Sequence, residues 1–201
     1  MSGNSQSAAV VSDEELARSH LYRLLGRLLA APPDQQVLEL LESIDQQAEA
    51  DLPIATACSE LRELAETAQL EELEQEYFKL FIGLGRGELL PYASWYVNGA
   101  LMDRTLASLR QDLKRLGFVR QDDVAEPEDH VAAVCETMGM IISDVRLSLE
   151  QTAFYEQYVG AWMSRFFADL QTAEAARFYQ SVGRLGGHFM EIEKEYFSLS
   201  N

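Results

Sequence analysis

The segment SDEELARSHLYRLLGRLLAAPPD, residues 12 to 34, constrains this chain more than any other. Ser12 and Glu15 stand three apart just before an apolar run. That is the spacing of a capping box, in which each side chain satisfies a backbone N–H that the first helical turn leaves unpaired. Leu16, Leu21, Leu24, Leu25, Leu28 and Leu29 follow at helical intervals and form a broad apolar stripe. Pro32 and Pro33 end it, because proline lacks the N–H that helix continuation needs and restricts the residue before it. A helix with a start, a stop and an apolar stripe must bury that stripe, and the rest of the chain offers more helices to bury it against.

Val, Ile and Thr are sparse, no run alternates apolar and polar for long, and Leu, Ala, Glu, Gln and Arg dominate. Asp34 can cap a second helix carrying Val37, Leu38, Leu40, Leu41 and Ile44, broken by Pro53. Helices over about 55–67 and 70–82 follow from the same periodicity. Next comes GLGRGELLPYASW, whose three glycines and proline rule out regular helix. The spacing then predicts a long helix over about 94–117 closed by Gly117, a loop FVRQDDVAE, and helices over about 127–148, 151–170 and 172–197. The expectation is an all-α chain, a single domain over 1–201 built as an irregular bundle of roughly eight helices, with residues 1–11 disordered.

Charge narrows the function classes. The 201 residues carry 33 acids against 16 Lys and Arg, a net charge of -17. Nucleic acid needs basic partners, and anionic membrane surfaces repel such a chain. A cationic partner, or a merely solvated acidic surface, fits better. The two cysteines, Cys58 and Cys135, make neither a disulfide framework nor a zinc cluster and read as small buried hydrophobes. The first residues carry no basic segment, and no stretch approaches about 18 apolar residues, so neither a signal peptide nor a membrane span is expected and the cytoplasm is the expected compartment.

Enzymatic signatures are scarce. The chain has no His-Glu-x-x-His, no Glu-x-x-His and no Gly-x-Ser-x-Gly. GLGRG lacks the Lys-Ser or Lys-Thr of a phosphate loop and follows no strand, so its glycines read as turn residues. His20 lies in the stripe of the first helix and His188 follows Gly186 and Gly187; both read as structural. His130 and Cys135 are five apart and diverge on a helix.

Three stretches remain. In AEPEDHVAAVCETMG, residues 125–139, Pro127 suits a first helical turn, and Glu128 and Asp129 suit the positive end of a helix dipole. The histidine is the oddity: a charged imidazolium is disfavoured at an exposed helix start, so stability alone gives His130 no reason to be there. Either the pair Asp129 and His130 only starts a helix, or it works. Around the glycine loop, Tyr77, Phe78, Leu80, Phe81, Tyr92, Trp95 and Tyr96 form an aromatic cluster that could be core or could line a groove. Before it, residues 39–76 hold Glu39, Glu42, Asp45, Glu49, Asp51, Glu60, Glu63, Glu66, Glu71, Glu72, Glu74 and Glu76 with Arg62 as the one base. An acidic surface beside an aromatic loop suits a peptide with positive charges and an apolar stretch.

EYFKLFIG, LLPYASWY and EPEDHVAAVCETM, in that order and separation, resemble the Tyr/Trp-x-x-Leu-Phe segment, the Pro-Tyr-x-Ser loop and the Glu-Pro-x-Asp-His helix start of the TorD/DmsD/NarJ redox-enzyme maturation chaperones. The resemblance covers nearly the whole chain. It implies a cytoplasmic all-helical chaperone, not an enzyme, without a cofactor or metal of its own. Its partner would be the twin-arginine leader, or the apo form, of a molybdenum-containing oxidoreductase subunit held back until its cofactor is inserted. By the match, Tyr77, Leu80, Phe81, Pro91, Tyr92, Ser94, Asp129 and His130 carry leader binding, with Trp95 beside them. Ala93 departs from the family's pattern, where many members have Glu. The resemblance leaves monomer or homodimer by helix exchange open. The readings set against it are a helical scaffold without leader specificity and a small hydrolase using Asp129 and His130.

Overall fold

The computed structural model describes residues 10–44, 52–120 and 125–199. Among them are ten α-helical segments and no strand. In order they are α1 (Asp13–Ala30), α2 (Gln35–Glu42), α3 (Pro53–Thr67), α4 (Leu70–Tyr77), α5 (Ala93–Asn98), α6 (Arg104–Leu116), α7 (Val131–Ser143), α8 (Gln151–Phe154), α9 (Met163–Thr172) and α10 (Phe178–Leu199). Single π turns extend α4 through Phe78–Ile82 and α8 through Tyr155–Val159. The all-α expectation holds.

α7 is the axis of the bundle. Nine of its 13 residues are buried, and a helix apolar nearly all round belongs inside. α1 lies along it, and Tyr22, Leu25, Leu28 and Leu29 share one core with Val134, Cys135, Met138 and Ile142. The Ser19 hydroxyl donates to the Gly139 carbonyl at 2.8 Å where the two helices meet. α10 packs against α9 and α3. Gly186 makes the close approach to α9 possible: a Cβ there would sit 2.2 Å from the Phe167 ring. The terminal helices are joined by a buried ion pair. The Arg18 guanidinium donates both Nε and Nη2 to Glu193, and the Tyr22 hydroxyl donates to the same carboxylate. Full pairing of this kind is what makes two buried charges tolerable.

Local signals explain most boundaries. Ser12 and Glu15 form the capping box. The Asp34 carboxylate accepts the Val37 N–H at 2.9 Å. Pro53 begins α3 at its first turn, where its missing N–H costs nothing.

Four expected helices differ; the one expected over 172–197 begins only at Phe178. The helix expected over 94–117 is two, because Gly99 ends α5 in the left-handed region and Asp103 starts α6 by accepting the Thr105 N–H. The one expected over 127–148 starts at Val131; Pro127 lies in the preceding turn, where the His130 N–H donates to its carbonyl. The one expected over 151–170 breaks between Val159 and Met163. Smaller corrections follow. His20 is exposed rather than in the stripe, Leu16 is 38% exposed, and Cys58 is only half-buried while Cys135 is fully buried. Asp45, Glu49, Asp51, residues 1–9 and most of the loop before Ala125 lie outside the described residues.

No helix among the described residues is long and apolar enough to cross a membrane.

Candidate functional site

The Pro-Tyr-x-Ser and Glu-Pro-x-Asp-His stretches meet. Tyr92 and His130 form an antiparallel bridge, the lone β-type pairing among the described residues. Around it, each stretch completes the other's helix start. The Asp129 carboxylate accepts the Ser94 N–H at 3.0 Å and its carbonyl accepts the Ala93 N–H at 2.9 Å. In return the Pro91 carbonyl accepts the Val131 N–H at 2.8 Å. First-turn N–H groups have no partner within their own helix. Here two helices, α5 and α7, borrow theirs from one another across 35 residues of chain.

His130 is the N-cap of α7. Its Nδ1 accepts the Ala132 N–H at 3.2 Å, so the ring is neutral there with its proton on Nε2. Burial pushes its pKa down to about 4, against the opposing pull of Glu126 and Asp129. This corrects the sequence expectation at its root. The helix start is buried, Asp129 to 1% exposure and His130 to 5%. The histidine does not meet the positive end of the dipole as a cation; it meets it as a neutral acceptor. Stability alone therefore gives both residues a reason to be there.

The rim is polar. The Tyr92 ring packs edge-on against His130, and its hydroxyl donates to Glu126 at 2.5 Å. Burial, then that carboxylate, drives the Tyr92 phenol well above its ordinary range. Glu128 is held by Arg110 at 2.9 Å.

The aromatic segment divides by depth. Tyr77 is buried, with its hydroxyl on the Leu29 carbonyl at 3.2 Å and its ring on Phe81 and Tyr179. Tyr179 does the same for the Leu28 carbonyl at 2.9 Å. Two tyrosines thus satisfy carbonyls that the last turn of α1 leaves free. Burial raises the Tyr77 phenol to about 12. Leu80 is fully buried and Phe81 half-buried, while Phe78, Ile82 and Leu84 are exposed, Leu84 to 98%.

The glycine loop then turns back over this segment. The Glu88 and Leu89 N–H groups donate to the Lys79 and Leu80 carbonyls. Gly83 sits at φ 62, and a Cβ there would lie 2.0 Å from the Arg86 carbonyl oxygen. At the loop's far side the Arg86 guanidinium lies over the half-buried Trp95 ring, 5.3 Å from its centroid.

Of the nine expected site residues, Tyr77, Leu80, Pro91, Ser94, Asp129 and His130 are buried, and Phe81, Tyr92 and Trp95 are half-buried. Sequence reasoning missed two acids that pin the region. The Glu76 carboxylate accepts the Arg177, Phe178 and Tyr179 N–H groups at the start of α10, and Glu88 accepts those of Glu174 and Ala175. Nothing in an acidic run marks which member turns inward. Among the described residues no three His, Cys, Asp or Glu side chains are grouped to hold a metal.

Known proteins resemble this chain along its length. The nitrate reductase delta subunit family matches residues 47–168. The chaperone protein TorD of Shewanella loihica is 30% identical over 199 residues, covering 89% of this chain and 92% of that one. TorD of Vibrio atlanticus is 28% identical over 145 residues, 66% of this chain and 67% of its own. A crystal structure of an Archaeoglobus fulgidus protein assigned to redox enzyme maturation superposes with a TM-score of 0.60 at 18% identity, covering 92% of this chain and 99% of that one. At that identity the likeness speaks for the fold.

Proposed function

The chain belongs to the TorD/DmsD/NarJ family of redox-enzyme maturation chaperones, and we propose that it serves one molybdenum-containing oxidoreductase as its dedicated chaperone. In this reading it binds the twin-arginine leader, or the apo form, of that subunit in the cytoplasm and assists its maturation before export. It performs no catalysis of its own.

The observation that carries this reading is the half-exposed aromatic rim. Phe81, Tyr92 and Trp95 stand at the surface on segments that buried residues hold in place, with exposed Phe78, Ile82 and Leu84 close by in sequence. Half-exposed rings on well-anchored segments, beside exposed apolar neighbours in sequence, suit an apolar peptide stretch. The net charge of -17 suits the cationic front of the same peptide. Exposed ion pairs contribute only about 0.2–1 kcal/mol each. Apolar contact therefore supplies most of the affinity, and charge supplies steering and selectivity. Tyr77, Leu80, Pro91, Ser94, Asp129 and His130 act from beneath, fixing where the accessible rings stand.

A titration with a synthetic twin-arginine leader tests this. Binding is expected, weaker at high salt, and weaker again for a control peptide with both arginines changed to lysine. No binding of any candidate leader at low salt would overturn it. Equal binding of the lysine control would point instead to a helical scaffold without leader specificity.

A further inference from the structure

Among the described residues, Arg86 is the arginine whose guanidinium makes neither an ion pair nor a hydrogen bond. In a chain with 33 acids that is unexpected. Its one partner is the face of Trp95, at 5.3 Å, inside the roughly 6 Å over which a cation is attracted to an indole ring. Indole is the strongest of the aromatic cation acceptors, and guanidinium stacks on it where ammonium does not.

The loop that presents Arg86 is exposed and specialised. Leu84 and Arg86 both face solvent, and Gly83 holds a backbone conformation that a side chain would block. The loop is pinned at its end, where Glu88 binds the Glu174 and Ala175 N–H groups. Between those anchors, among the described residues, the Trp95 contact alone holds the guanidinium.

We infer that the Trp95 face is a guanidinium subsite, and that Arg86 occupies it as an internal stand-in that a ligand's arginine displaces. The second half rests on the leader-binding reading above; the subsite itself does not. The consequence is regulation by competition. The chain's own arginine lowers the affinity of every arginine-bearing ligand by a fixed factor and covers the ring when no client is present. It also sharpens discrimination, since a lysine gains too little from the ring to displace a bound guanidinium.

The test uses the full chain, with tryptophan fluorescence as readout. Trp162 is 1% exposed, so Trp95 reports. Wild type and Arg86→Ala are titrated by fluorescence, and Trp95→Leu by calorimetry, with a peptide carrying two adjacent arginines followed by an apolar stretch, and separately with N-acetyl-arginine amide. An exposed cation–ring contact is worth a few-fold in affinity. Arg86→Ala should bind both probes about three- to fivefold more tightly, and the gain should vanish when Trp95→Leu is combined with it, followed then by calorimetry. Unchanged or weaker binding of the arginine amide by Arg86→Ala would overturn the subsite. If the amide binds more tightly to Arg86→Ala while no variant binds the peptide, the subsite stands and the leader reading falls. Because Arg86 is exposed, Arg86→Ala should fold as wild type does, and a melting curve verifies this.

Discussion

The clasp and the glycine loop lie within a few residues of one another in the chain and are built in opposite ways. The clasp, Pro91–Ser94 against Asp129–Val131, is buried, and the Asp129 carboxylate, the His130 ring and the clasp's backbone carbonyls accept backbone N–H groups at 2.8 to 3.2 Å, with the Ser94 hydroxyl left without a partner among the described residues. The loop, Gly83 to Gly87, exposes Leu84 to 98% and leaves Arg86 with a ring contact alone. Both are sequence landmarks. One is recognisable because its residues are hard to replace inside the fold; the other because glycine must bend it. A recognisable motif therefore does not announce a contact surface. Here the most distinctive residues, Asp129 and His130, do the holding, and plainer neighbours such as Leu84 and Phe78 are the exposed ones.

The largest effect should come from Asp129→Ala. It leaves the Ser94 N–H buried without its acceptor, a loss of about 1–3 kcal/mol. For a chain of this size each kcal/mol lowers Tm by roughly 2–4 °C. A fall of about 5 °C is expected, with leader affinity near wild type when measured well below melting. An unchanged melting curve with tenfold weaker binding would move Asp129 from the scaffold to the contact surface and break the comparison.

His130 gives the next effect, through pH. Its ordinary pKa is about 6.5 in an unfolded chain and about 4 in the fold. The unfolded state thus binds the proton more readily. The stabilising contribution of the neutral ring is complete above about pH 6.5, falls as pH drops, and is exhausted below about 4. At pH 5 the loss is on the order of 2 kcal/mol. His130→Asn keeps a capping acceptor and removes the titration. Urea denaturation at pH 7 and pH 5 should show a smaller acid penalty for the variant than for wild type; equal penalties would show that the ring is not held neutral.

How much of this was readable beforehand follows the range of each interaction. The Ser12–Glu15 box, the Asp34 cap and the Pro32–Pro33 stop are local chemistry, and the helices they bound are where the sequence puts them. The long helix over 94–117 failed because leucine periodicity outweighed Asn98-Gly99 and the Asp103 cap, which were equally local and equally present. The site was half legible. That Asp129 and His130 begin a helix could be read; that Asp129 caps a different helix could not, since its acceptor role depends on a partner 35 residues away. The inward turn of Glu76, likewise, is fixed by α10 about a hundred residues on. Non-local capping leaves no periodic trace in a single sequence.

Glu88→Ala sharpens the contrast from the loop's side. Its carboxylate binds two N–H groups between α9 and α10, a cap exchanged for solvent at an exposed position. The expected cost is about 1 kcal/mol or less. Amide exchange should quicken for Glu88 and Leu89, while Ala93 and Val131 keep their protection. Quickened exchange at Ala93 and Val131 as well would mean that the loop and clasp open together.

The smallest stability effect, and the sharpest separation of holding from touching, belongs to Leu84→Ser. A side chain that is 98% exposed has nothing to lose on truncation inside the protein, so stability should stay within about 0.5 kcal/mol of wild type. If the loop is a contact surface, the same change removes apolar area from the complex. Burying part of a leucine contributes about 0.8 kcal/mol per methylene equivalent, so leader binding should weaken by roughly threefold. The paired measurement is a melting curve and a peptide titration. Unchanged affinity would leave the leader's apolar stretch on Phe81 and Tyr92 alone. A destabilised protein would mean that Leu84 packs where its exposure says it does not.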